Sequence, residues 1–159
     1  MPPLLQRSAS TADKLREIAA EFYRSYLSTH QVSLLLLEGE LGAGKTTFCQ
    51  GLKTPLAIRE NITSPSFNLL NIYEGQAHQL WHYDLYRLSS GQDVIDTGFP
   101  DYWQEKPADS APGRIHAIEW WQRAAELLPD GVPIFRVEII YNLDVEDATR
   151  DVTIRSYGR

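Results

Sequence analysis

The chain has 159 residues, with 15 Lys and Arg against 21 Asp and Glu, for a net charge of −6. This length suits one domain, residues 1–159, which can bury a full core. The negative charge and the scattered lysines argue against strong direct binding of nucleic acid, which needs clustered basic side chains. A lone cysteine, Cys49, excludes an internal disulfide framework. No apolar run approaches a membrane span, so we expect no membrane association and a cytoplasmic protein.

The first part of the chain predicts a helix followed by a buried strand. Residues 32–37 form a short apolar run without charge, which is typical of a strand covered on both faces. Ser10 or Thr11 can cap a preceding helix. The apolar residues of that helix recur at helical spacing, at Leu15, Ile18, Ala19, Phe22 and Tyr26.

The next segment, residues 39–46, reads GELGAGKT and matches the phosphate-binding pattern G-x-x-x-x-G-K-T. Glycines allow successive backbone amides to turn inward around an anion. Lys45 supplies a positive charge for the β- and γ-phosphates, and Thr46 supplies a hydroxyl for Mg²⁺. The pattern therefore predicts a bound nucleoside triphosphate. Its phosphates would contact the backbone amides of residues 42 to 47, which include Gly42, Ala43, Gly44 and Thr47.

The remaining elements predict an α/β fold, a single P-loop NTPase domain with a central, mostly parallel sheet. A helix after the phosphate loop should end near Thr54, because Pro55 cannot continue it. Antiparallel strands and a C-terminal β-hairpin complete the sheet. The predicted elements are strands over 68–74 and 79–86, short helical turns over 89–103, a strand over 114–118, a helix over 120–128, and a hairpin of PIFRVEIIY with TRDVTIRSY.

Two acids each follow an apolar strand, Asp84 in HYDLYRL and Glu119 in IHAIEWW. In phosphate-loop enzymes an acid at such a strand end holds Mg²⁺ or orients the attacking water. Position alone does not assign these two roles. The alternative is that either acid pairs with a nearby arginine, Arg87 or Arg123. His82 lacks a matching metal-ligand pattern and is interpreted as a residue that packs on its strand.

The segment Thr63 to Ser66 (TSPS) follows the phosphate helix. GTPases carry a mobile loop at this place, and its threonine senses the γ-phosphate. Thr63 is therefore a candidate switch residue. An ordinary polar turn before a strand is an equally good interpretation of the spacing.

Five sequence blocks together carry a family resemblance: LEGELGAGKTTF, ITSPSFNLLNIYE, HYDLYRL, GFPDYW and AIEWW. In this order, over residues 36–121, they resemble the bacterial TsaE family, ATPases that take part in making the threonylcarbamoyladenosine modification of tRNA. The resemblance implies a function in forming this group on adenosine 37 of tRNAs that read codons beginning with A. It also implies two protein partners, TsaD and its scaffold TsaB.

The same resemblance implies ATP and Mg²⁺ as cofactors and gives roles to individual residues. Lys45 and Thr46 would bind phosphates and Mg²⁺, and Asp84 would fill the Walker-B-like place. Glu119 would be a further Mg²⁺-associated catalytic acid. The remaining roles are Thr63 as the switch threonine, Thr11 near the adenine end of the nucleotide, and Trp120 as the family's tryptophan after the glutamate.

We therefore expect a P-loop ATPase that is slow alone, is stimulated by partners and acts mainly as an accessory subunit. ATP is favoured over GTP because no NKxD-type guanine-reading string is present. One alternative is a small-molecule or nucleoside kinase, which needs the same loop and a strand-end acid. Another is an interaction module without catalysis, in which ATP only orders the switch segment.

Overall fold

A computed structural model describes residues 2–143 and 148–158. The fold is built on one seven-stranded sheet in the order β1-β7-β6-β2-β5-β4-β3. The four central strands, β6, β2, β5 and β4, are parallel, and antiparallel pairs close both edges. The strands are β1 Leu5–Ala9, β2 Val32–Glu38, β3 Leu70–Tyr73, β4 His78–Asp84, β5 Gly113–Glu119, β6 Ile134–Asn142 and β7 Thr149–Ser156.

Helices cover both faces of this sheet, as its central parallel strands require. Leu35 and Leu37 of β2 point toward the layer that contains α1 and α2, and Leu34 and Leu36 point toward the opposite layer. The α-helices of the described residues are α1 Ala12–Phe22, α2 Lys45–Gln50, α3 Lys53–Leu56, α4 Gly91–Thr97 and α5 Phe99–Gln104. A π-helical turn over Tyr23–Leu27 extends α1, and a 3₁₀ helix over Trp121–Leu127 follows β5.

The predicted α/β domain with its central parallel strands and C-terminal hairpin is confirmed. The sequence interpretation missed β1, which pairs antiparallel with β7 in front of α1. Only the two ends of β1, Leu5 and Ala9, are buried, so the strand lacks the alternating pattern that indicates a half-covered strand. The phosphate helix also differs, because α2 ends at Gln50 and Pro55 lies inside the short helix α3. Proline is tolerated in a first helical turn, where its missing N–H has no partner to lose.

The three parallel strands β2, β5 and β4 end next to one another, with their carboxyl ends on the same side of the sheet. In the register of the sheet, Glu119 of β5 lies opposite Leu37 of β2 on one side and opposite Asp84 of β4 on the other. Ligands of open α/β sheets bind outside such carboxyl ends. Within the described residues, no helix has the length and apolar character that crossing a membrane would require.

Candidate phosphate-binding site

The loop between β2 and α2 depends on two glycines in left-handed conformations. Gly42 has φ +81° and Gly44 has φ +121°. A Cβ at Gly44 would lie 2.6 Å from Cδ2 of Leu15 in α1, so a side chain there would clash as well as strain the backbone. The first turns of α1 thus pack directly against the loop. This arrangement suits the predicted anion nest of backbone amides.

Lys45, the first residue of α2, lies at the centre of the site. Its Nζ donates to the carbonyl oxygen of Gly39 at 2.8 Å and lies 3.8 Å from Oε1 of Glu119. The same ammonium is 5.5 Å from the centroid of the Trp120 ring. Only 10% of the Lys45 side chain is exposed. The positive charge is therefore held at a fixed place between the loop and the end of β5.

Glu119 is held from its other side by a buried histidine. Its Oε2 lies 2.7 Å from Nε2 of His82, and a carboxylate can only accept, so Nε2 carries the hydrogen. Burial opposes the charged form of His82, but the adjacent Cys49 and the Glu119 carboxylate outweigh burial and raise the pKa of His82. His82 was interpreted from sequence only as a packing residue. Its position two residues before Asp84, which places both on one face of β4, was the available signal.

Asp84 ends β4 beside Glu119. Its carboxylate is buried, and Oδ1 accepts a 3.0 Å hydrogen bond from the backbone N–H of Tyr86. Among the described residues, neither acid forms an ion pair with an arginine. Arg87 lies over the ring of Phe67, and Arg123 donates to backbone carbonyls. The alternative interpretation, a strand-end acid that pairs with Arg87 or Arg123, thus finds no support in these contacts.

The donor set fits a magnesium ion that is shared with a nucleotide rather than one held by the protein alone. Over residues 2–143 and 148–158, no group of three His, Cys, Asp or Glu side chains could hold a metal. Mg²⁺ commonly takes one or two carboxylates together with waters and substrate phosphates. Thr46 and Thr47, both half-buried, lie in the first turn of α2 next to Lys45. The groups available to such an ion are therefore the hydroxyl of Thr46 and the two strand-end acids, Asp84 and Glu119.

Trp120 adopts a left-handed backbone conformation, φ +58° and ψ +36°, immediately after Glu119. A bulky residue in this region is strained, and such strain clusters at functional sites. Its ring lies over the Lys45 ammonium, 5.0 Å from the ring of Tyr86 and 5.3 Å from the Arg123 guanidinium. The predicted helix over 120–128 is a 3₁₀ helix that begins only at Trp121. The left-handed turn directs the Trp120 ring toward Lys45, the first residue after the phosphate loop.

An open groove of about 910 Å³ runs beside the phosphate loop. Lys45 and Trp120 belong to its wall, together with the exposed apolar side chains Leu41 and Tyr141. Thr46 and the two strand-end acids do not line this groove. Lys45 therefore lies between two regions, the groove on one side and the acids on the other.

The two remaining predicted site residues, Thr11 and Thr63, form hydrogen bonds with other parts of the chain. Thr11 caps α1, and its hydroxyl accepts from the N–H of Lys14 at 3.1 Å. It lies one turn before Leu15, which packs against the loop. The backbone N–H and carbonyl of Thr63 bond to the hydroxyl of Tyr73 in β3, and the Thr63 side chain is exposed. Their roles toward a nucleotide stay predictions.

The chain matches a known protein family over most of its length. The family described as "Threonylcarbamoyl adenosine biosynthesis protein TsaE" matches residues 9–152. A tRNA threonylcarbamoyladenosine biosynthesis protein TsaE of Treponema pallidum is 37% identical over 122 residues, 77% of this chain and 81% of that protein. The same-named protein of Haemophilus influenzae is 30% identical, over 80% of this chain and 73% of its own.

Two further matches differ in coverage. A TsaE protein of Nostoc sp. is 48% identical over 91 residues, which is 57% of this chain and about half, 54%, of that relative. The crystal structure of Bacillus subtilis YdiB superposes with a TM-score of 0.70 at 25% identity. It covers 97% of this chain, and the superposition spans 86% of that protein. The shared fold thus extends over nearly the whole chain.

Proposed function

Since the chain belongs to the TsaE family, we propose that it is an ATPase of tRNA threonylcarbamoyladenosine biosynthesis. It binds ATP with Mg²⁺ in the cytoplasm and hydrolyses it slowly. It thereby supports formation of the threonylcarbamoyl group on adenosine 37 of tRNAs that read codons beginning with A. Its partners are TsaD, which performs the transfer, and the scaffold TsaB.

One observation carries the ATPase proposal: the phosphate-loop lysine and a buried strand-end acid are neighbours. Lys45 Nζ lies 3.8 Å from Glu119 Oε1, which supports a site where the lysine binds phosphate beside an acid that acts on metal or water. Phosphoryl transfer needs mainly this combination of positioning and charge stabilisation. Asp84, at the same level of the sheet, supplies the second acid.

The residues of the chain have separate roles in ATP binding and hydrolysis. The amides of residues 42 to 47 and the Lys45 ammonium hold the phosphates, and the Trp120 ring covers the lysine. Thr46 with Asp84 or Glu119 would hold Mg²⁺, which neutralises charge on the phosphate oxygens when it is bound. The other acid orients the attacking water. Thr63 senses the γ-phosphate from the TSPS segment, and Thr11 lies near the adenine end.

The charge of the chain supports an accessory role rather than tRNA binding. With a net charge of −6, it has little electrostatic attraction for a polyanion. Protein contacts with TsaB and TsaD are then the route by which hydrolysis affects the modification. Hydrolysis resets that complex between turnovers.

The test is phosphate release from ATP and Mg²⁺ without any phosphoryl acceptor, measured with and without a TsaB–TsaD complex. We expect slow release alone and faster release with the complex. Release that requires a small-molecule or nucleoside acceptor would indicate the kinase instead. No single-turnover hydrolysis even with partners present would indicate an interaction module that binds ATP without catalysis.

A further inference from the structure

We propose that His82 is a positioning residue for Glu119, which it holds through the hydrogen bond from Nε2 to Oε2. This inference deepens the proposed function and rests on it, because it assumes that Glu119 acts on metal or water. His82 itself touches neither lysine nor loop in the contacts described above. Its effect passes through the carboxylate.

The geometry divides the two oxygens of Glu119 between two partners. Oε2 is bound to His82 at 2.7 Å, and Oε1 faces Lys45 at 3.8 Å. A glutamate side chain has three rotatable bonds, and a tether at one oxygen fixes the direction of the other. The carboxylate is thus held in one orientation beside Lys45. At 3.8 Å the lysine is close to Oε1 but beyond normal hydrogen-bond length, so it stays available for phosphate.

Packing alone gives a poor explanation for a histidine at this position. His82 is fully buried, and besides Glu119 its ring has the thiol of the adjacent Cys49 as a polar neighbour, which is a weak hydrogen-bond partner; no strong partner of Nδ1 lies among the described residues. A buried nitrogen with so weak a partner costs free energy that an apolar side chain would avoid. The contact that compensates for this cost is the one with Glu119. That contact joins β4 to the end of β5 directly beside the phosphate loop.

The neighbouring histidine of β5 provides a matched control. His116 is also fully buried in the sheet, and its Nδ1 lies 2.8 Å from the hydroxyl of Tyr83. Its ring contacts Trp81 and Tyr83, which belong to the hydrophobic layer on the face of the sheet opposite α1 and α2. His116 therefore shares the burial of His82 without sharing its access to Glu119. Replacing either ring with leucine puts an apolar side chain of similar size at a buried position of the same sheet.

Three variants separate positioning from general stability: His82→Leu, His82→Gln and His116→Leu. Glutamine can place an amide N–H near the position of the imidazole Nε2, so it preserves the donor. We expect His82→Leu to lower kcat of ATP hydrolysis about tenfold or more, with KM within about threefold. We expect His82→Gln to retain most of kcat and His116→Leu to leave it unchanged. Equal losses in all three variants would contradict the proposal.

A double-mutant cycle tests the route through Glu119. In a Glu119→Ala background, His82→Leu should produce no further loss of hydrolysis, because there is no carboxylate left to hold. Additive losses would show that His82 acts elsewhere and would overturn the proposal. Melting temperatures of all variants show whether the fold is retained.

A measurement without hydrolysis keeps this inference distinct from the proposed function. In ring ¹H–¹⁵N spectra of the free protein, we expect a protonated Nε2 in His82 whose hydrogen exchanges slowly with water. Glu119→Ala should shift this signal strongly, and His116→Leu should not. An unprotonated Nε2 would refute the positioning role. If the wild-type protein instead shows this signal but never hydrolyses ATP with its partners, the proposed function fails while the hydrogen bond stands.

Discussion

The Lys45 ammonium lies 3.8 Å from Oε1 of Glu119, although 74 residues separate the two in the chain. The parallel pairing of β2 with β5 produces this contact, because it brings the end of β5 beside the phosphate loop that follows β2. Both side chains are almost fully buried. When a nucleotide binds, a lysine and an acid so placed can take different partners: the lysine can contact phosphate and the acid can contact the metal.

Lys45→Ala should remove most nucleotide affinity and leave the fold intact. A charged hydrogen bond to phosphate is worth about 1.5 to 3 kcal/mol, which corresponds to roughly tenfold to hundredfold in Kd. Titration with ADP or an ATP analogue measures the loss. The matched control is Lys53→Ala, because the Lys53 ammonium bonds only to Asn61 at 3.2 Å in the contacts described. Unchanged affinity in the Lys45 variant would overturn the assignment of the phosphate site.

Asp84→Ala and Glu119→Ala should each depress hydrolysis far more than they weaken ADP binding. In the proposed mechanism both acids would act on charge and water, which matter most in the transition state. We expect losses of at least about tenfold in kcat, with ADP affinity within about threefold. Asp101→Ala, which removes an exposed acid of α5, is the control. An acid variant with a normal rate in the presence of partners would show that this acid is structural.

Trp120→Gly should be more stable than Trp120→Ala. Both variants lose the same ring, but only alanine retains a Cβ in the left-handed conformation at φ +58°. That Cβ costs about 1 kcal/mol, which should appear as a difference in the free energy of unfolding in urea. An alanine variant as stable as the glycine variant would contradict a left-handed residue 120.

The pH dependence of stability should report on His116. Burial, followed by the nearby Arg114 charge, lowers the pKa of His116 from 6.5 to about 3. Below pH 6.5 the unfolded chain therefore binds a proton at this histidine that the folded protein does not bind. The free energy of unfolding consequently falls as pH decreases from 6.5 toward 3. The His116→Leu variant has no such group, so this decrease should be absent from it. Between about pH 7.5 and pH 5.5, the free energy of unfolding of the wild type should fall by roughly 1 kcal/mol relative to that of His116→Leu.

Urea unfolding of both proteins at the two pH values measures this effect. The carboxyl groups titrate in both proteins, so the difference between them isolates the histidine. A difference that does not change with pH would show that His116 is accessible to protons in the folded state.

The sequence predicts those parts of the site that local patterns determine. The phosphate loop is a contiguous motif, and Asp84 and Glu119 each follow a recognisable apolar strand. The hydrogen bond between His82 and Glu119 depends on strand register across 37 residues, which a single sequence does not reveal. The left-handed Trp120 is equally hidden, since nothing in its residue type favours that conformation.

The missed strand β1 has a different cause. Its middle residues, Gln6 to Ser8, are exposed, so no alternating pattern marks the strand. Its formation depends on pairing with β7, more than 140 residues away in the chain. Edge strands of this kind are stabilised by the sheet that they join rather than by their own sequence.

In the proposed function, this chain acts on tRNA modification through nucleotide-dependent contacts with other proteins. The most direct measurement is capture of a TsaB–TsaD complex in the presence of ATP, a non-hydrolysable analogue or ADP, beside a direct tRNA-binding assay. We expect stronger capture with ATP or the analogue than with ADP, a smaller difference in Thr63→Ala, and weak tRNA binding. Tight tRNA binding by the chain alone, with no nucleotide-dependent capture of the complex, would contradict the claim.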